Sequence, residues 1–421
     1  MLLRACRVPD REGLVDIDLR QDRIAAIVTH DASGRRTDAA IDVGGRVVTP
    51  GLVEAHIHLD KAFLSERLTV PTASVREAIR QVGEAKRSFT LVDISARARR
   101  VLDLAVAAGT TAMRAHVEVD PIVGLTGMEA MLALKAEYAP ALELQLCAFA
   151  QEGILQAPGT EALLRRALQM GADLVGGCPY NDTDPRLHID LVFRLAQAFD
   201  VAADFHVDFF DEPDHLHVRE IIERTRTIGW QGRVAVGHLT ELAALPPAQQ
   251  DEIIAHLRDV GIGVICLPAT DLYLMGRGDD ISPRRGLTPV RRLLAAGVPV
   301  ALASNNIRNP FTTVGTADLS HMAFLAAVTA HMGAPAELRQ LVETVTTHPA
   351  RILGLRDYGL APGAHADLVV WDCTRVEEVV AALPGRVLVM RRGRVTVEHE
   401  RRLHERWREP GRSTPPVGPS G

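Results

Sequence analysis

The chain reads as an α/β protein: a (β/α)8 TIM barrel carrying a small composite β-sandwich built from both termini. Three observations predict this. Between residues 51 and 359 apolar strands alternate with amphipathic helices, and the strands number eight. Most of those strands are short and apolar throughout, as expected when both faces of a parallel sheet are buried. Residues 1–50 and 360–400, by contrast, are rich in short strands and polar turns, which suggests one small sheet domain made from both ends.

In order along the chain, residues 15–19 alternate apolar and polar, and 24–28 form a second short apolar run. The apolar run 46–53 then leads into Glu54-Ala55-His56-Ile57-His58-Leu59-Asp60-Lys61. Residues 95–108 have helical periodicity, Gly109 stops the helix, and 111–117 form a strand. The same alternation recurs as helix 128–138 and strand 142–149, then helix 160–170 and strand 174–177. Helices at 191–199, 221–228, 249–260 and 290–296 lead to strands at 201–207, 233–238, 263–267 and 298–303. Residues 347–355 form a further helix, and strands return at 366–372, 387–390 and 394–397. The Pro/Gly/Ser-rich tail at 408–421 is expected to be mobile or to dock on a neighbour.

Bulk properties exclude several function classes. Net charge is −6 and aromatic residues are 4 % of the chain, so neither a basic face nor a base-stacking platform for nucleic acid is implied. No apolar run approaches the ~20 residues of a membrane span, and the N-terminus lacks a secretion signal. The five cysteines are scattered without a CxxC pair, which fits free thiols in a reducing cytoplasm rather than a structural zinc site. Barrels of this size often self-associate, but no stripe specifies a homo-oligomer interface.

Chemistry concentrates at the strand ends. Residues two apart on a strand share a face, so His56 and His58 project together while Ile57 turns into the packing. The other polar strand-end residues are His116, Gln151, His206, His238 and Asn305-Asn306. In a (β/α)8 barrel these ends surround the active site. Clustered imidazoles there point to a transition-metal centre rather than to separate structural histidines.

These stretches, together with Arg114-Ala115-His116, Phe149-Ala150-Gln151-Glu152-Gly153, Phe205-His206-Val207-Asp208, Gly237-His238 and Ser304-Asn305-Asn306-Ile307-Arg308-Asn309-Pro310-Phe311, resemble the amidohydrolase superfamily in its cytosine deaminase and N-isopropylammelide hydrolase branch. The resemblance covers nearly the whole chain. It implies one divalent ion (zinc first, with iron or manganese as alternatives) held by His56, His58 and His206. It implies that His238 polarises the substrate or steadies the attacking water, and that Gln151 reads a substrate amide edge. His116 is expected to pack behind the ligands. Lys61 is expected to be solvated or salt-bridged, with no catalytic role.

Two departures qualify the resemblance. Asn305 stands where the family places the aspartate that touches the metal and takes the water's proton. Phe209 stands three residues after His206, where its deaminases place a proton-shuttling glutamate. Asparagine can accept a hydrogen bond or weakly bind the ion, but it is not a useful base near neutral pH. The proton work could pass to Asp208, Asp211 or Glu212, or to His238 acting on a more reactive substrate. Phe209 would make the pocket apolar, and Arg308 could meet a substrate carboxylate, although a salt bridge is its commoner role. The expected function is metal-dependent hydrolysis of a C–N bond in a small cyclic amide- or amidine-like compound. The alternative is a binding protein on the same scaffold that has altered or lost the chemistry.

Overall fold

The computed structural model describes residues 1–33, 40–68, 74–214 and 216–400; the 408–421 tail lies outside them. Eight parallel strands follow one another in sequence around a barrel. They are Leu52–Ile57, Thr110–Glu118, Glu143–Ala150, Leu174–Gly177, Ala202–Val207, Val234–His238, Gly263–Cys266 and Val300–Leu302. The eighth closes on the first just past its own end: the His58 amide donates to Asn305 O at 2.8 Å, and the Asn305 amide donates to His56 O at 2.9 Å. One large apolar core fills the space between the strands and the surrounding helices, and Ile57 belongs to it. Inside the barrel, Val53, Ala55, Ala112, Ala235, Ile265 and Ala301 join a smaller cluster that Ala350 and Leu353, from the helix Thr347–Leu353, also enter.

Both ends of the chain build a β-sandwich. One sheet runs Arg23–Thr29, Val15–Arg20, Leu2–Cys6, Ala40–Asp42; the other runs Arg394–Glu398, Arg386–Arg391, Leu368–Trp371, Val48–Pro50. Leu3, Ile17 and Ile24 from the first share a core with Val48, Leu368, Val370 and Met390 from the second. The apolar run at 46–53 is therefore two strands in two sheets. Gly51 is the crossing point, where a Cβ would lie 2.1 Å from Thr111 Oγ1, so a side chain would collide.

Element ends differ from expectation where local capping decides them. The helix expected from residue 95 starts at Leu91, because Thr90 Oγ1 accepts from the Asp93 amide at 3.2 Å. The helix Val75–Lys86, not assigned from periodicity, is capped by Ser74, which accepts from the Glu77 amide. It packs Val75, Ala78, Ile79 and Val82 against Phe209, Leu274, Met275 and Phe311, roofing the side of the barrel where the strands end. The helices Leu319–Thr329 and Pro335–Glu343, after the eighth strand, were likewise unassigned. Among the described residues no helix is long and apolar enough to cross a membrane.

Candidate metal and catalytic site

The strand-end histidines converge. The His56 ring lies 4.2 Å from that of His206 and 6.0 Å from that of His238, centroid to centroid. Donor atoms of His56, His206 and His238 all lie within 4.8 Å of one another. Nε2 of His58 and Nε2 of His206 are 3.1 Å apart. Two nitrogens each ~2.0–2.1 Å from one tetrahedral zinc would be separated by about 3.4 Å, so this spacing suits shared ligation. Gly237, opposite His206 in the adjacent strand, leaves the room His56 needs: a Cβ there would sit 3.1 Å from His56 Nδ1.

The chemistry of the donor set fits a divalent ion. Both ring nitrogens of His56, Nδ1 of His58 and of His206, and Oδ1 of Asn305 are buried without a hydrogen-bond partner among the described residues. Such orphaned groups are costly unless something satisfies them. Burial, reinforced by neighbouring imidazoles and the Lys61 charge, holds the pKa of His56 and His58 well below the usual imidazole range, and burial with the His56 imidazole next does the same for His206. All three are therefore neutral, the form that binds metal.

His238 differs from these three. Its Nδ1 lies 2.8 Å from Oδ1 of buried Asp271, and Phe209 stacks on its ring at 3.7 Å and 24°. The other Asp271 oxygen accepts from the Leu267 amide at 3.3 Å. Asp271 opens the short helix Pro268–Leu274 after the seventh strand, and the sequence reading missed it. That strand ends in apolar residues, so nothing local marked the acid. Glu54 was also missed. Its Oε1 accepts from the amides of His56 and Ser304 at 3.1 and 3.2 Å, tying the first strand to the eighth, and burial pushes its pKa up to about 7 despite those bonds.

The three carboxylates offered as a substitute base are otherwise engaged. Asp208 is buried and caps the helix Val218–Thr227, its two oxygens accepting from the His217 amide at 2.8 Å and the Val218 amide at 3.1 Å. Asp211 accepts from the Gly276 amide, and Glu212 pairs with Arg284 at 2.7 Å. Asp208, expected as a candidate base, thus has an amide donor at the start of that helix on each of its oxygens. Arg308 is exposed and lies over the Phe63 ring at 5.5 Å.

Gln151 is buried at the end of the third strand, with Nε2 3.3 Å from Cys178 Sγ. His116 lies behind His56, ring centroids 4.0 Å apart, with Nε2 3.4 Å from Asp204 Oδ1. His56, His116 and Asp204 also lie within 4.8 Å of one another. There the Arg114 guanidinium already neutralises Asp204 at 2.8 Å, which disfavours a second cation. Of the two expectations for Lys61, solvated or salt-bridged, the structure shows the second: it is 1 % exposed and paired with Glu118 Oε1 at 2.6 Å. Glu118 Oε2 meets Lys86 at 2.5 Å, and Lys86 also pairs with Asp120 and Glu152.

Known proteins resemble the chain over most of its length. The Amidohydrolase family profile matches residues 39–397. N-isopropylammelide isopropyl amidohydrolase of Pseudomonas sp. (strain ADP) is 29% identical over 95% of this chain and 98% of its own length. Pterin deaminase of Rhizobium rhizogenes is 29% identical over 92% of this chain and 89% of its own. The crystal structure of 5-methylcytosine deaminase from Klebsiella pneumoniae with 5-fluorocytosine superimposes with a TM-score of 0.91 at 31% identity, covering 96% of this chain and 99% of that one. The chain belongs to the amidohydrolase family.

Proposed function

We propose that the protein is a metal-dependent hydrolase cleaving a C–N bond of a small nitrogen heterocycle, by deamination, dealkylamination or ring opening. The observation that carries this reading is the clustering of neutral imidazoles at the barrel mouth: His56 has no hydrogen-bond partner on either ring nitrogen, His206 lies within ligating distance of His56 and His238, and His58 Nε2 stands 3.1 Å from His206 Nε2. Asn305 Oδ1 is the fourth candidate ligand. When bound, a divalent ion lowers the pKa of a coordinated water from 15.7 toward ~7.

The chain's own residues then divide the work. His238 takes the water's proton at Nε2: Asp271 accepts from Nδ1–H and so fixes the tautomer that leaves Nε2 free. The pair replaces the base lost at Asn305. Asn305 orients the water by a hydrogen bond, and Gln151 reads an amide-type edge of the ring. Phe209 covers the His238 face with an apolar surface, which excludes water and suits a methyl or alkyl substituent. The relatives' substrates, an alkylaminotriazine, a pterin and a methylated cytosine, are all of this class.

The test uses protein purified without chelators. Zinc, iron and manganese are quantified, and amine or ammonia release is followed on N-isopropylammelide, pterin and 5-methylcytosine. We expect about one equivalent of metal and turnover of a ring of this class, both lost in His206→Ala. Protein free of all three metals would sink the reading. A second reading, a non-hydrolytic binding protein, is favoured by the loss of both family acids at Asn305 and Phe209; His206-dependent turnover of any such ring excludes it.

A further inference from the structure

A cavity of about 770 Å³ lies against the strand ends and takes no part in the chemistry described above. We propose that it is a subsite for a second ring, or a ring-sized substituent, that carries no negative charge. The preferred substrate is then a fused or substituted heterocycle rather than a bare pyrimidine or triazine. The inference rests on the hydrolase reading and narrows its substrate class.

Position supports it first. Tyr180 and Phe210 line the cavity, and their rings meet edge to face with centroids 5.3 Å apart. Tyr180 sits in the single turn Pro179–Asn181 after the fourth strand. Its hydroxyl accepts from Cys178 Sγ at 3.5 Å, and that sulfur accepts from Gln151 Nε2 at 3.3 Å. Phe210 follows Phe209, the residue stacked on His238. His217, also in the lining, donates its amide to Asp208, two residues after His206. The cavity therefore reaches the site on two flanks, through Gln151 on one and beside His238 on the other. A ring seated between those two residues turns its outer edge toward Tyr180 and Phe210.

Size and charge then narrow the occupant. Cavities of ~300–1,000 Å³ hold drug-sized molecules, and a single pyrimidine fills a small part of that space. Phe209 is fully buried, whereas Tyr180 and Phe210 are only partly so, which leaves aromatic surface for a ligand to cover. The titratable lining is five carboxylates, Asp182, Asp211, Glu212, Asp214 and Glu241, against Arg76 and His217. Arg284 offsets Glu212 at 2.7 Å, and the Arg76 guanidinium lies over the Phe210 ring at 6.0 Å. The balance stays negative, so an anionic arm is repelled and a neutral or cationic one is accepted.

The experiment measures binding to the metal-loaded protein by calorimetry for two pairs of probes. Isocytosine against pterin adds a fused ring to the same amino and oxo groups; cytosine against 5-benzylcytosine adds an aryl arm. A ring that takes about 60 Å² of apolar surface out of water predicts about tenfold tighter binding of the larger member in at least one pair. Phe210→Ala should cut that preference to within about threefold and leave the smaller member's affinity as it was; Phe210→Leu decides if Phe210→Ala does not fold. For charge, pterin-6-carboxylate should bind about threefold or more weaker than 6-hydroxymethylpterin at low salt, and Asp214→Lys, a change at an exposed position, should narrow that gap. A larger member that binds no better in either pair, or a preference that survives both Phe210 substitutions, overturns the proposal. So does a carboxylate that binds as well as the alcohol, or a gap that Asp214→Lys leaves unchanged. If the wild type nonetheless holds its metal and releases ammonia from a smaller probe in a His206-dependent way, the hydrolase reading stands and the subsite alone falls. If no probe binds, the subsite falls, and protein free of metal takes the hydrolase reading with it.

Discussion

Asn305→Asp probes the metal site without any need to know the substrate. Asn305 Oδ1 is buried and without a hydrogen-bond partner among the described residues, and its backbone is bonded to His56 and His58. Glu54 gauges what a carboxyl meets nearby. It bridges the same two strands, and burial lifts its pKa to about 7 even though the amides of His56 and Ser304 donate to it. A new carboxyl at 305 begins without such donors, so burial favours its protonated form in metal-free protein. A divalent ion needs the ionised form. Wherever that carboxyl is protonated, binding to the variant must therefore expel one proton more than binding to the wild type. The ratio of variant to wild-type affinity should rise with pH, by up to about tenfold per unit, and level off once the carboxyl ionises unaided. Chelator competition on both proteins measures the ratio, and calorimetry in two buffers counts the extra proton. A ratio that stays flat between pH 5 and 8 would refute the placement of Asn305 at the ion.

Other outcomes follow from the same geometry. Asp271→Asn lets an amide donate to His238 Nδ1 and move the ring proton to Nε2; kcat should fall about 10² to 10⁴-fold with metal content retained, and a fall under threefold would remove His238 as the base. Lys86→Met removes the shared counter-ion of Glu118, Asp120 and Glu152, leaving Glu118 with Lys61 alone, a loss of ~3–5 kcal/mol near pH 7. In the wild type, burial resists ionisation of Glu118, but Lys61 and Lys86 outweigh it and hold its pKa below the usual range; the stability this pairing gives is present at neutral pH and lost on acidification. The Lys86→Met deficit in urea should accordingly shrink as pH falls from about 4.5 toward 2, and a pH-independent deficit would point to lost packing instead. Asn305→Asp combined with Phe209→Glu restores both family acids and should raise ammonia release from 5-methylcytosine; no gain would mean that Phe209 and its apolar neighbours have reshaped the pocket for another ring.

Periodicity and residue type were enough to specify the alternating barrel, its two-ended sandwich and the histidines at strand ends. A strand's two-residue repeat fixes side-chain direction locally, so His56 and His58 had to point together wherever the strand lay. Tertiary structure alone decided which acids were free. Asp208, adjacent in sequence to the site, is consumed by the start of a helix. Asp271, distant in sequence and unmarked, arrives at His238 because the seventh strand lies beside the sixth. The same holds for Lys61, whose choice between solvation and a salt bridge was made by Glu118, a carboxylate from another element that Lys86 also meets. Hydrogen bonds and desolvation depend on what folding brings within 3 Å, and sequence distance carries almost none of that information.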